Sequence, residues 1–140
     1  MRPRSLGVIQ ALTEEHHDIL RQLTRLFIEV ESRKDTVETF ARLRLELNRH
    51  FREEETILYR PLGAHLGKDS PIAEMIREHR SIQSALARVG ASLKPHARRR
   101  TYFDDLRPML DSLDKLVHAH VNKEERVLFW LAVTLWQGRM

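Results

Sequence analysis

The chain has 140 residues, with 24 basic and 20 acidic side chains, eight histidines, five glycines, five prolines and no cysteine. That length suggests one domain over residues 1–140, with a core over about 6–131, large enough to fold without covalent staples. The missing cysteine excludes disulfides, thiolate metal sites and thiol catalysis, and a formal charge of +4 spread through mixed signs reads as a solvated surface rather than a nucleic-acid footprint.

The first predicted helix runs from about Leu6 to Glu31. Its apolar stripe is Leu6, Ile9, Leu12, His16, Ile19, Leu23, Leu26 and Val30, in the steps of three and four that one helical face requires. A short connection comes next, with Asp35 or Thr36 as the cap of the second helix. That helix is predicted from about Thr36 to Arg60, with the stripe Val37, Phe40, Leu43, Leu47, His50, Glu54 and Leu58, and Pro61 and Gly63 are expected to stop it. Ser70 and Pro71 open the third helix, whose stripe is Ile72, Met75, His79, Ile82, Leu86 and Val89. The fourth is predicted from about Arg100 to beyond Leu131, with Leu106, Leu110, Leu113, Val117, His120, Glu124, Val127 and Leu131 inward. Pro108 predicts a kink, or a helix that begins near it. Four long amphipathic helices joined by short connections imply an all-α, up-down-up-down four-helix bundle, in which the fourth helix extends at its C-terminal end.

Each stripe carries one histidine. Glu15-His16…Ile19 and Glu78-His79…Ile82 share one pattern. His50, Glu54, Glu55, Leu58, Tyr59 and His120, Glu124, Glu125, Leu128, Phe129 share another. The chain therefore reads as two copies of one half-site. Counted from helix starts and ends that share one end of an antiparallel bundle, all four imidazoles lie roughly 15 Å in. His50 with Glu54 and His120 with Glu124 are four apart, so each pair projects from one side. The glutamates at +5, Glu55 and Glu125, are expected to turn away from the core.

Two ionised carboxylates in a bundle core would cost several kcal/mol each if left unpaired. No lysine or arginine occupies the inward stripes near them. Cations neutralise them, or they are protonated. Four imidazoles and two carboxylates suit two metal ions bridged by the two glutamates, and this ligand chemistry fits iron, manganese or zinc. Iron is preferred, because open positions on a bridged pair suit dioxygen, peroxide or nitric oxide.

These residues resemble the hemerythrin-like, HHE cation-binding family over about Leu6 to Leu131. The resemblance implies His16 and His50 on one iron, His79 and His120 on the other, Glu54 and Glu124 bridging, and an oxo or hydroxo bridge between the irons. Oxygen-carrying members place two histidines four apart on the third helix and an aspartate five after the fourth-helix histidine. Here Met75 and Gln83 flank His79, and the acid is Glu124 at +4. Four histidines imply two nearly equivalent irons and a role away from reversible oxygen carriage. The pattern stands closer to members that sense oxygen or iron, handle nitric oxide or peroxide, or repair iron centres. The implied function is a di-iron protein that binds or senses such ligands. The alternatives are a di-iron redox enzyme and a metal-free interaction bundle.

The remaining features read more simply. His17, His65, His96 and His118 fall off the stripes or in loops and are expected at the surface, with His17 and His118 close enough in sequence to back a ligand. Lys94 and Arg98–Arg100 are read as a solvated turn, so nucleic acid is not an expected partner. Phe129, Trp130, Val133, Leu135 and Trp136 are expected to cap the bundle end, the alternative being a face for a homodimer or protein partner. Tyr59 and Phe129 are expected to exclude water above the site, or Tyr59 to donate a hydrogen bond to bound oxygen. No signal peptide or membrane span is expected, since Val127 to Trp136 is about half the length that a bilayer needs, and the protein is expected in the cytoplasm.

Overall fold

The computed structural model describes residues 3–67, 70–95 and 100–137. The elements are α1 (Pro3–Glu31), α2 (Val37–Glu53), a π turn (Glu54–Tyr59), α3 (Arg60–Leu66), α4 (Ile72–Ser92), α5 (Tyr102–Lys123), a second π turn (Glu124–Leu128) and α6 (Phe129–Trp136). Each π turn joins the α-segments on either side of it into one rod, so the chain forms the expected four-helix bundle. Contacts run α1 to α2, α2 to α4, α4 to α5 and α5 back to α1, so neighbours in sequence are neighbours in space.

The predicted stripes form the core. Ile19, Leu23, Leu26, Leu43, Leu47, Phe51, Ile82, Leu86, Leu110, Leu113 and Val117 belong to one apolar cluster. Leu12, Leu58, Tyr59, Leu62, Met75, Leu128, Phe129 and Ala132 belong to a second. On every rod the histidine of the stripe falls between residues of the first cluster and residues of the second. The polar belt is thus held between two hydrocarbon layers, in which each fully buried leucine contributes about 1.5–3 kcal/mol.

The π turns account for most departures from the predicted pattern. A π turn adds a residue to the helical repeat and rotates the residues beyond it. Past Glu124 the inward positions are therefore Leu128, Phe129 and Ala132, whereas Val127 is 42% exposed and Leu131 only half-buried. Pro61 does not stop the second rod. It falls in the first turn of α3, where its missing N–H is tolerated. Gly63 lies within α3, and the rod ends at Gly67, whose φ of 81° suits a residue without a side chain.

Other departures are smaller. α1 begins at Pro3 rather than Leu6, and the Leu6 side chain lies outside what is described. Val37 is exposed, whereas Thr36 and Phe40 on either side of it are buried. The fourth rod begins at Tyr102, not near Pro108, and carries Pro108 inside α5. It continues through Trp136, as expected. His96 and Arg98–Arg99 of the basic turn lie outside the described residues. No helix among the described residues is long and apolar enough to cross a membrane.

Candidate metal centre

The structure brings all six inward residues together. His16, His50, His79, His120, Glu54 and Glu124 are each at most 2% exposed. They form two overlapping groups that share the carboxylates: His16, His50, Glu54, Glu124, and Glu54, His79, His120, Glu124. Within each group one ligating atom from every residue lies within 4.8 Å of the others. Ligands about 2.1 Å from a common ion stand at most about 4.2 Å apart, so each group is on the scale of one coordination sphere. His16 Nε2 is 3.0 Å from Glu124 Oε1 and 3.5 Å from Glu54 Oε2, and His50 Nε2 is 3.1 Å from Glu54 Oε2. On the other side His79 Nε2 is 3.0 Å from Glu54 Oε1 and 3.1 Å from His120 Nε2.

Every imidazole is held from behind by a separate glutamate. The Nδ1–H of His16 donates to Glu125 at 2.7 Å, that of His50 to Glu15 at 2.6 Å, that of His79 to Glu55 at 2.7 Å, and that of His120 to Glu78 at 2.7 Å. A hydrogen bond at Nδ1 fixes the tautomer and the ring orientation and turns Nε2 toward the shared carboxylates. The expectation that Glu55 and Glu125 turn away from the core is therefore corrected. The backbone stays α-helical through Glu54 and Glu124, so the fifth residue onward is rotated by about 140° from the histidine, which takes it off that rod's inward face and toward the adjacent rod. Their carboxylates reach a neighbouring rod and grip its histidine. Glu15 and Glu78 stand in the repeated Glu-His dipeptide, so a signal for them was present in the sequence.

The charges explain what such a cluster requires. Burial opposes the charging of His16 and His50, but the nearby carboxylates, Glu124 and Glu54 for His16 and Glu15 and Glu54 for His50, outweigh it and lift them to about 10 and about 9. Burial opposes His120 in the same way, and Glu54, Glu124 and Glu78 raise it. Burial likewise pushes Glu54 up, yet its contacts with Glu124 and the surrounding imidazoles hold it well below the usual carboxylate range. Burial and then the Glu54 charge push Glu124 up to about 7. Two carboxylates this close need positive charge between them, and protons on the imidazoles are the substitute when no metal is bound.

The residues fit a cation on a second count. His16 Nε2, His50 Nε2, Glu54 Oε2 and Glu124 Oε1 are buried and face one another, with contacts of 3.0 Å, 3.1 Å and 3.5 Å. Two imidazole nitrogens and two carboxylate oxygens that have one another as partners could all serve one cation, and without it they need protons between them.

Aromatic rings wall the centre. Phe51 stacks on His79 at 3.9 Å between centroids, and Phe129 lies parallel to His16 at 5.5 Å. Tyr59 is buried, as expected of a water-excluding residue. Its hydroxyl enters the cluster itself, donating to Glu124 and lying 3.2 Å from His79 Nε2. Burial, then Glu54 and Glu124, hold this phenol above its ordinary range, so it remains a donor. His17 and His65 are exposed, and so is His118, which pairs with Asp114 at 3.2 Å. None of these three backs a ligand.

A four-rod bundle with imidazoles and carboxylates converging at mid-height defines a helical cation-binding protein. The chain matches the family described as the hemerythrin HHE cation binding domain over residues 7–132, and it belongs to that family. No match was found among curated proteins or among solved structures.

Proposed function

We propose that this chain binds a pair of non-haem iron ions and uses them to bind or sense dioxygen, nitric oxide or peroxide. His16 and His50 would hold one ion, His79 and His120 the other, and Glu54 and Glu124 would serve both. The observation that carries this reading is the set of four imidazoles, each locked at Nδ1 by its own glutamate and presenting Nε2 to two buried carboxylates. Ligands of this class, without thiolate, suit iron, with manganese and zinc as competitors. When bound, two ferrous ions supply the electrons with which a small oxidant is captured.

The protein side chains do the rest. Glu15, Glu55, Glu78 and Glu125 orient the imidazoles and raise their basicity. Phe51 and Phe129 keep bulk water from the centre, and Tyr59 places an O–H among the ligating atoms. That donor favours a second reading, in which the same centre turns over peroxide or nitric oxide as an enzyme. A metal-free interaction bundle would have to hold protons on buried imidazoles to offset its two buried carboxylates.

The test begins with elemental analysis of protein purified from iron-fed cells. About two irons per chain are expected, with a melting temperature raised by added ferrous ion, since a ligand at a hundredfold excess over its Kd stabilises the fold by about 2.7 kcal/mol. A chain that holds no iron and whose melting curve ignores it would overturn the proposal. Mixing the reduced protein rapidly with each oxidant then separates the two readings: a single stoichiometric response marks a sensor, and sustained turnover marks an enzyme.

A further inference from the structure

The two halves of the centre match residue for residue, Glu15 with Glu78, His16 with His79, His50 with His120, Glu54 with Glu124 and Glu55 with Glu125. Among the buried positions at which they differ, one carries a polar group in one half only. Five residues after the shared glutamate, one half has Tyr59 and the other has Phe129. The Tyr59 hydroxyl lies 3.2 Å from His79 Nε2 and 3.4 Å from Glu54 Oε1, and it donates to Glu124 Oε2. It occupies the point on which the His79 and His120 half converges. Phe129 has no such group, and the inward atoms of the His16 and His50 half face one another at 3.0 Å, 3.1 Å and 3.5 Å with no hydroxyl among them.

The outer charges differ in the same direction. Behind the His79 half, Lys123 pairs with Glu78 at 2.6 Å and Arg80 approaches Glu55 at 3.5 Å. At the matching positions behind the His16 half stand Glu53, which the Arg49 cation approaches at 3.9 Å, and His17. A cation is therefore repelled more by the surroundings of one half than by those of the other, by an amount that salt screens in part.

We propose that the two half-sites load in order: a divalent cation settles first among His16, His50, Glu54 and Glu124, and Tyr59 must cede its place before a second is held by His79 and His120. This rests on the metal-binding reading above, and it replaces the near-equivalence of the two positions implied by four histidines. Tyr59 is then the residue that sets the affinity of the second position and leaves a one-ion state populated at low metal supply.

The test is an optical titration of the whole metal-free chain with cobalt(II), whose visible absorption reports coordination, in competition with a chelator. The wild type is expected to show two steps, the second at least tenfold weaker. Tyr59→Phe is expected to tighten the second step tenfold or more and to leave the first in place. Phe129→Tyr, which puts the hydroxyl in the other half, is expected to weaken the first step. Two ions taken up in one indistinguishable step would overturn the ordering. A Tyr59→Phe protein whose second step is unmoved or weakened would overturn the role of the hydroxyl. Absence of any cobalt uptake by the wild type would defeat the metal-binding reading instead, so the two failures are distinguishable.

Discussion

Glu125 accepts the Nδ1–H of His16 at 2.7 Å, although the two residues lie 109 positions apart in the chain. The contact exists because Glu125 lies off the inward face of its own rod and faces α1. Its carboxylate is about one-third exposed, so the contact aims the imidazole more than it stabilises the fold. Glu125→Ala is expected to lower metal affinity by about 10–100-fold while the chain stays folded. Chelator competition measures this, and an unchanged affinity would make the contact merely structural.

Removing a shared carboxylate should be more severe. Glu124→Ala takes a ligating group from both halves at once, and His50→Ala takes one from the first half. Glu124→Ala is expected to lose metal altogether, and His50→Ala at least the ion of the first half, while each keeps its helical circular dichroism. The thermal stabilisation by ferrous ion should vanish in Glu124→Ala. A Glu124→Ala protein that still binds two ions would remove this residue from the site.

The metal-free protein should weaken as pH rises. His16 and His50 move from an ordinary 6.5 to about 10 and about 9 in the fold, so the folded state holds protons that the unfolded chain has released. Their contribution is complete below 6.5 and is lost as pH climbs through 9 and 10. Glu124, raised to about 7, acts in the same direction lower down, and Glu54, held low, acts only toward acid. Melting temperatures of the apoprotein should fall from pH 6.5 upward, and the gap between zinc-loaded and metal-free protein should widen, because zinc replaces those protons. A metal-free melting temperature that rises over this range would contradict the charge assignment.

Stability away from the centre should follow burial. Leu86 is fully buried in the larger apolar cluster, and Leu86→Ala is expected to cost about 2–5 kcal/mol in urea unfolding. Leu45 is 69% exposed on α2, and Leu45→Ala is expected to stay within about 0.5 kcal/mol of the parent. Equal losses at the two positions would mean that the Leu45 face is covered in solution.

Much of this architecture was legible because an amphipathic helix advertises its buried face. The stripes through His16, His50, His79 and His120 predict the rods, their order and the common height of the imidazoles. The repeat of His-x-x-x-Glu singles out Glu54 and Glu124 among many acids. What a fixed helical period could not show is where the helix changes its own period. The π turn that begins at Glu124 buries Leu128 in place of Val127, and the second rod runs on past Pro61 through a π turn of its own. The position of the Tyr59 hydroxyl was hidden for a related reason. It depends on how far the ring advances after the π turn, and only packing decides that.

The shared carboxylates have one more consequence. Glu54 comes from the first half of the chain and Glu124 from the second, and each group of four ligating residues draws on both. Glu55 and Glu125 likewise reach across, each orienting an imidazole of the other half. A nascent polypeptide that has emerged only as far as Gly67 would display three of the first group and lack the fourth. Under the proposed metal reading, a complete group of four exists only after synthesis has passed Glu124, and a cation held there would clamp the amino-terminal and carboxy-terminal hairpins against each other.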